Sequence, residues 1–293
     1  MIDMGPASLQ TTTARLQPTY TKGIIESALR SPLEAERVWV LVEDTDDMNV
    51  YKRFFDTDIV NVLPAEDEEG RKGFEHVETI VTDILRQGLT TRIFGIRDTD
   101  YTRYEDTVHQ FPPAIFHTDF RDVEMMLFSA PSVTTALVNW NPEFPAKLIE
   151  CLPIARYMGY LRICNHIYKL GCRFKRKVKI SVCWQDCEHA PAPDWEEILV
   201  RKFLEHCHTQ FTREQFEQTV RHKGLVSEDY LHVCQGHDLL DLLQRSMFKL
   251  DFNKNNIMTC MTNAYSSDDF RMTQLYYNIS AWAVTHGVCI FVA

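Results

Sequence analysis

Several features common in other protein classes are missing from this 293-residue sequence. No apolar run reaches the roughly 18 residues that a bilayer-crossing helix needs, so no membrane span is expected. The opening stretch MIDMGPASLQTTTARLQ has no basic segment leading into an apolar one, so no secretory leader is expected either. The nine cysteines follow no regular spacing, which predicts reduced thiols and a cytoplasmic location. Positive charge is scarce: 31 Lys plus Arg stand against 41 Asp plus Glu, a net charge of −10. That balance argues against constitutive, non-specific nucleic-acid binding, which depends on neutralising phosphates. It leaves room for a local basic surface beside an acidic site. No internal repeat and no low-complexity linker interrupts the chain.

What is present is a run of short apolar segments that end in carboxylates. VWVLVE at residues 38–43 and RIFGIRDTD at residues 92–100 suit strands buried on both faces of a parallel sheet. Between them, DTDDMNVYKRFF reads as a helix capped by Thr45 or Asp46, with Met48, Tyr51, Phe54 and Phe55 on its apolar side. A strand over residues 59–63 and the acidic loop AEDEEGRKG follow. Then comes a helix whose stripe is Phe74, Val77, Ile80, Val81, Ile84 and Leu85, stopped by Gly88. The order β-α-β-α-β predicts an α/β fold, a Rossmann-like parallel sheet. A polar loop over 99–113, a strand over 114–117 and a helix starting in TDFRDVEMML complete this half.

From Pro131 the alternation gives way to helical spacing. Helices are expected over residues 147–170 despite Pro153, from Asp194, from Thr212, over 237–250 and over 268–284. RFKRKVKISVCW reads as a basic strand or hairpin arm. The expected organisation is an N-terminal arm (1–35) with a possible short helix near 22–29, an α/β domain (36–135) and a mainly helical C-terminal region (136–293). The last of these helices, with its aromatic residues, is expected to offer a surface for docking or self-association.

Chemistry in open α/β sheets collects at the carboxyl ends of the strands. Glu43 closes one strand there, and Asp98 and Asp100 close another. A spacing of two in extended backbone puts both aspartates on one side. Carboxylate oxygens so grouped suit Mg²⁺, or Mn²⁺, better than any packing purpose. Glu124, at the start of its helix, lies where a neighbouring strand end can present it to the same ion.

The first block resembles the Toprim domain shared by primases, topoisomerases and OLD-family nucleases, with Glu43 and Asp98-Thr99-Asp100 at the matching places. More narrowly, VLVEDTDDMNVYKRFF, GIRDTDY, FHTDFRDVEMMLF and CQGHDLLDLLQ resemble a Toprim-like family that includes the effector of the PARIS anti-phage system. The resemblance implies a metal-dependent nuclease in which Asp98 and Asp100 hold the ion. Glu43 would serve as ligand or proton-transfer group, and Asp47 and Glu124 would support a second ion. It also implies an ABC- or OLD-type ATPase partner and a homodimeric active form. Asp44 stands where that family usually has Gly, either as an added ligand or as a mark of weakened catalysis. A regulatory subunit bound to an ATPase is therefore the alternative reading. No segment resembles the separate tyrosine-bearing domain of topoisomerases.

For substrate, a nucleic acid (RNA such as tRNA, or DNA), contacts are expected from Lys175, Arg176 and Lys177 in the one dense basic strip. Lys72, Arg103 and Arg121 lie on loops near the strand ends. Cys183, Cys187 and His189 invite a zinc reading, weakened by the lack of a second paired motif. His206-Cys207-His208 reads as a helix end, and Tyr276, Tyr277 and Trp282 as packing residues.

Overall fold

A computed structural model describes residues 20–105, 112–185, 190–247 and 253–292, with the Lys175 side chain excepted. Four strands form one sheet: β1 (Val38–Val42), β2 (Val60–Pro64), β3 (Ile93–Arg97) and β4 (Ile115–His117). Their order is β2-β1-β3-β4, and every pairing is parallel. The helices used below are α1 (Thr21–Ala28), α2 (Thr45–Tyr51), α3 (Phe74–Arg86), α4 (Val123–Ser129), α5 (Phe144–Ile167), α6 (Gly236–Met247), α7 (Lys254–Ala264) and α8 (Gln274–Thr285).

The apolar runs are continuous because both sheet faces are covered. Along β1, Trp39 and Leu41 join a cluster with Val77, Val81 and Ile84 of α3 and Ile25 of α1. Val38, Val40 and Val42 face the opposite, larger cluster, which takes in the C-terminal helices. Gly95 lets α3 approach β3: a Cβ there would lie 2.5 Å from Val77 Cγ1 and 2.8 Å from Ile115 Cδ1.

The chain leaves β1 toward β2 on one side and returns to β3 on the other. The β1–β3 gap is therefore the topological switch point, where open α/β sheets leave a crevice at the carboxyl ends. Glu43 and Asp98 sit at that gap. The α/β parallel architecture thus matches the expectation from sequence, and α5 runs through Pro153 as expected.

Helix α1 falls where a short helix near 22–29 is expected, and it packs on the sheet: Ile25 is fully buried and Thr21 N donates to Glu66 O at 3.1 Å. Some local expectations need correction. Asp44, not Thr45 or Asp46, caps α2. It accepts from Asp46 N (2.7 Å) and Asp47 N (3.2 Å), and the Asp47 carboxylate accepts from Asp44 N in return. The basic strip is not a strand: Phe174–Lys177 is one helical turn, Ile180–Cys183 is a 3₁₀ turn, and only Trp184–Gln185 pairs as strand. Phe174 and Val178 are both buried, and a spacing of four is a helical one.

The C-terminal segment returns to the sheet. Trp282 of α8 packs edge-on against Phe94 of β3, with ring centroids 4.7 Å apart, and Phe291 stacks on Phe55 at 5.4 Å. Asp119 caps α8 by accepting from Gln274 N (2.7 Å) and Leu275 N (2.8 Å). Residues 1–19, the loop at 106–111 and the last residues of the expected 237–250 helix lie outside the described residues.

Candidate functional site

The acidic end of the sheet is built from four short segments. Glu43 follows β1 and points across the switch-point gap, where its Oε1 accepts from Asp98 N at 2.8 Å. Strand β3 pairs only as far as Arg97, so Asp98-Thr99-Asp100 forms a turn. That corrects the expectation of extended alternation through both aspartates. Asp100 has φ of +49°, a left-handed conformation that Asp tolerates better than most side chains. The turn is held from three sides: Thr99 N donates to Thr118 Oγ1 (3.0 Å), Asp100 N donates to Arg121 O (2.8 Å), and Thr102 Oγ1 donates to Thr99 O (2.8 Å).

Asp47 and Glu124 join this group from the first turns of α2 and α4, and both are buried. Asp122 is an addition that sequence reasoning missed. It caps α4 by accepting from Met125 N (3.0 Å), and its other oxygen accepts from Gly236 N of α6 at 2.8 Å. His237 is a second addition, with Nδ1 2.6 Å from Glu124 Oε1. Asp238 is a third, paired in bidentate fashion with Arg162 at 2.7 and 2.8 Å. The GHD triplet thus keys α6 to the acidic centre and to α5. Gly236 is required there, since a Cβ would lie 2.2 Å from Glu124 Cβ.

The electrostatics follow from crowding. Burial, then the Asp100 and Asp44 charges, push the Glu43 carboxyl up to about 7 against the Asp98 N–H, which favours its ionised form. Burial and the Glu124 charge push Asp122 up to about 8. Asp47 and Asp98 are held well above the ordinary range, first by burial and then by neighbouring carboxylates. Glu124 goes the other way: burial opposes its charge, but the hydrogen bond and charge of His237 outweigh that and lower its pKa. The Glu124 hydrogen bond raises His237 correspondingly. Tyr51 lies beside Asp47 and Asp98, and its buried hydroxyl has no hydrogen-bond partner among the described residues.

This donor set fits a hard divalent cation. All the first-choice ligands are carboxylate oxygens, which suit Mg²⁺ or Mn²⁺ rather than softer metals. An ion would also relieve the repulsion that holds Glu43, Asp47 and Asp98 high. Among the described residues no three His, Cys, Asp or Glu side chains already converge on one point. Mg²⁺ commonly takes one or two carboxylates and completes its shell with water. Glu43, Asp98, Asp100 and Asp47 are the residues that could hold such an ion. Asp44 is occupied as the cap of α2.

The expected substrate contacts divide. Lys72 reaches the acidic end: its Nζ lies 3.1 Å from Thr45 Oγ1 and 3.7 Å from Glu66. Arg103 is half-exposed and paired with Glu228 at 3.0 Å. Arg121 does not face solvent and is corrected as a substrate contact. The residue is 1% exposed, and its guanidinium lies 4.1 Å over the Tyr101 ring and donates through Nη1 to Val233 O at 2.9 Å. It acts as a buried counter-charge under the Asp100 turn. Arg176 and Lys177 are exposed, and Arg176 lines a hollow with Tyr101, the residue after Asp100. That hollow joins one edge of the basic strip to the acidic end.

The described cysteines are all free. Cys183 is buried and donates to Ile180 O at 3.1 Å, while Cys187 and His189 lie outside the described residues. No helix among the described residues is long and apolar enough to cross a membrane. No protein-family model matches this chain, and no curated protein matches it.

Proposed function

We propose that the chain is a Mg²⁺- or Mn²⁺-dependent nuclease of the Toprim type. It would hydrolyse phosphodiester bonds in RNA or DNA as an anti-phage effector, restrained by an ABC- or OLD-type ATPase partner and active as a homodimer. The observation that carries this reading is the hydrogen bond from Asp98 N to Glu43 Oε1 across the switch-point gap. It ties the Asp98 backbone to Glu43 at the switch point, the crevice where α/β sheets commonly bind ligands, and the Glu43 charge acts on the Asp98 carboxyl there. A divalent ion held there neutralises charge on the phosphoryl oxygens as the transition state forms.

The chain's own groups do the rest. Asp98 and Asp100 would supply carboxylate oxygens as ligands. Glu43 uses one oxygen to fix the Asp98 turn, which leaves the other as a ligand or proton-transfer group. Lys72 and the exposed Arg176 and Lys177 offer phosphate contacts around an otherwise repelling rim.

The test is a divalent-ion titration of the purified full chain with mixed RNA and DNA substrates, repeated with Asp98→Ala and Asp100→Ala. The expected outcome is ion-dependent cleavage that either substitution reduces by at least about 10³-fold without lowering the melting temperature. Those side chains are polar groups at a strand end, and removing one lessens repulsion in the metal-free protein. Cleavage at the wild-type rate in either variant would overturn the reading. Absence of ion-dependent cleavage with tight binding to an ATPase would favour the interaction-subunit alternative.

A further inference from the structure

A cavity of about 810 Å³ lies between the basic strip and α6. Its volume falls in the range of sites that enclose a small organic ligand. Four cations line it: Arg162, Lys179, Arg245 and Lys254. Two acids line it as well, but each is committed. Asp238 holds Arg162 in a bidentate pair, and Asp241 pairs with Lys254 at 3.0 Å. Lys179 is exposed and makes no ion pair among the described residues.

The remaining wall is apolar and aromatic, with Phe174, Val178, Ile180 and Trp184. Two polar atoms on this lining are buried and unmatched among the described residues: the indole N–H of Trp184 and the side-chain carbonyl of Gln235. Trp184 is 8% exposed, so water satisfies that donor poorly. Neither atom is open to the cavity as it stands, but a small turn of either side chain would present it to a ligand with one acceptor and one donor. Nucleobases offer that combination on their edges and a flat apolar face besides. A phosphate attached to the same ligand answers the cations. Inorganic phosphate alone would leave the aromatic wall bare and both orphans unmatched.

We propose that this cavity binds a nucleoside phosphate, with the base against Trp184 and Gln235 and the phosphate toward Lys179 and Lys254. The ligand is either a free mononucleotide or one nucleotide unit of a strand. His237 and Lys254 also line a second cavity of about 420 Å³, which reaches Glu124 and Asp46 at the acidic end. The nucleotide site and the acidic centre are thus neighbours with a common wall.

The experiment titrates the full chain, in EDTA, with AMP, GMP, CMP and UMP, with inorganic phosphate and with a short single-stranded oligonucleotide. Calorimetry and tryptophan fluorescence give the readout. Saturable binding of a mononucleotide assigns the free ligand, and saturable binding of the oligonucleotide alone assigns a unit of a strand. In either case Lys179→Glu and Trp184→Phe each weaken binding about tenfold, the loss of one charge-assisted or one buried hydrogen bond. Gln235→Leu serves in place of Trp184→Phe if that variant melts early. No saturable binding, affinity unchanged in all the variants, or phosphate binding as tightly as the nucleotide overturns the proposal. Because no divalent ion is present, this result is separate from cleavage, which can fail or persist independently.

Discussion

Glu43 is half-buried among carboxylates yet keeps one oxygen on the Asp98 amide, so its two protonation states differ in cost. Its folded pKa, about 7, lies above its unfolded value of 4.5. The folded state therefore binds the proton more tightly, and stability is lost as pH rises from below 5 through about 7. Asp122, pushed up to about 8, acts in the same direction. Thermal melts of metal-free protein should show a lower melting temperature at pH 8 than at pH 5.5. Glu43→Gln should flatten that fall by on the order of 2 kcal/mol, and adding Mg²⁺ at pH 8 should restore part of it. Melting temperatures that do not change over this range would show that the carboxylates are better solvated than their burial indicates. Glu43 and Asp98 are legible in sequence because each ends an apolar run, and the fold rule says what strand ends do. Asp122, Tyr51 and His237 are not, since each meets the site through an interaction that spacing does not encode. The Gly236–Asp122 hydrogen bond spans 114 residues. Arg121 misleads for a related reason: a cation in a loop reads as exposed until Tyr101 is found lying across it.

At the scale of elements, the sheet is the most readable part, because burial on both faces leaves a signature that survives without tertiary information. The basic strip reads in sequence as a strand or hairpin arm, but Phe174 and Val178 enter the core four residues apart and wind it into a turn. The junction of α4 with α6 is invisible in sequence and matters most for the site. Gly236→Ala places a methyl against Glu124 Cβ and Asp122 Oδ1. It should destabilise the protein by about 2–3 kcal/mol, the usual cost of overpacking, and displace His237 from Glu124. Chemical denaturation measures the first effect. The second appears as a fall in the His237 pKa followed by NMR, because the Glu124 hydrogen bond is what raises it. A variant with wild-type stability and an unchanged His237 titration would mean that α6 slides freely over α4.

Across the whole molecule, the C-terminal segment reads in sequence as a surface for docking or self-association, whose removal would disturb assembly more than metal binding. The structure adds that one face of it belongs to the core: Leu275, Ile279 and Trp282 are buried and Phe291 bridges to Phe55, while Tyr277 and Val284 stay exposed on the other face. Deleting residues 268–293 should therefore abolish cooperative unfolding, not merely weaken assembly. A truncated chain that still melts in one sharp transition would contradict that. Net charge acts at the same scale. At −10, a nucleic acid of the kind the proposed function requires should be repelled except where the basic strip meets the hollow beside Tyr101. Reversing Lys175, Arg176 and Lys177 to Glu should weaken nucleic-acid binding in Ca²⁺. The slope of log affinity against log salt should drop by roughly one for each phosphate that is no longer neutralised. An unaltered slope would make the strip a solvated face.

The packing of Gly236 onto Glu124 also bears on how this chain can change over generations. A selection for second-site suppressors of Gly236→Ala should return glycine at position 124, since the new methyl meets the Glu124 Cβ first and only loss of that atom clears it. Each such suppressor would restore the fold by deleting a carboxylate from the acidic centre. Under that selection, thermal robustness and chemistry would be recovered only at each other's expense, and lineages drifting at position 236 would become sturdy proteins with an impaired centre.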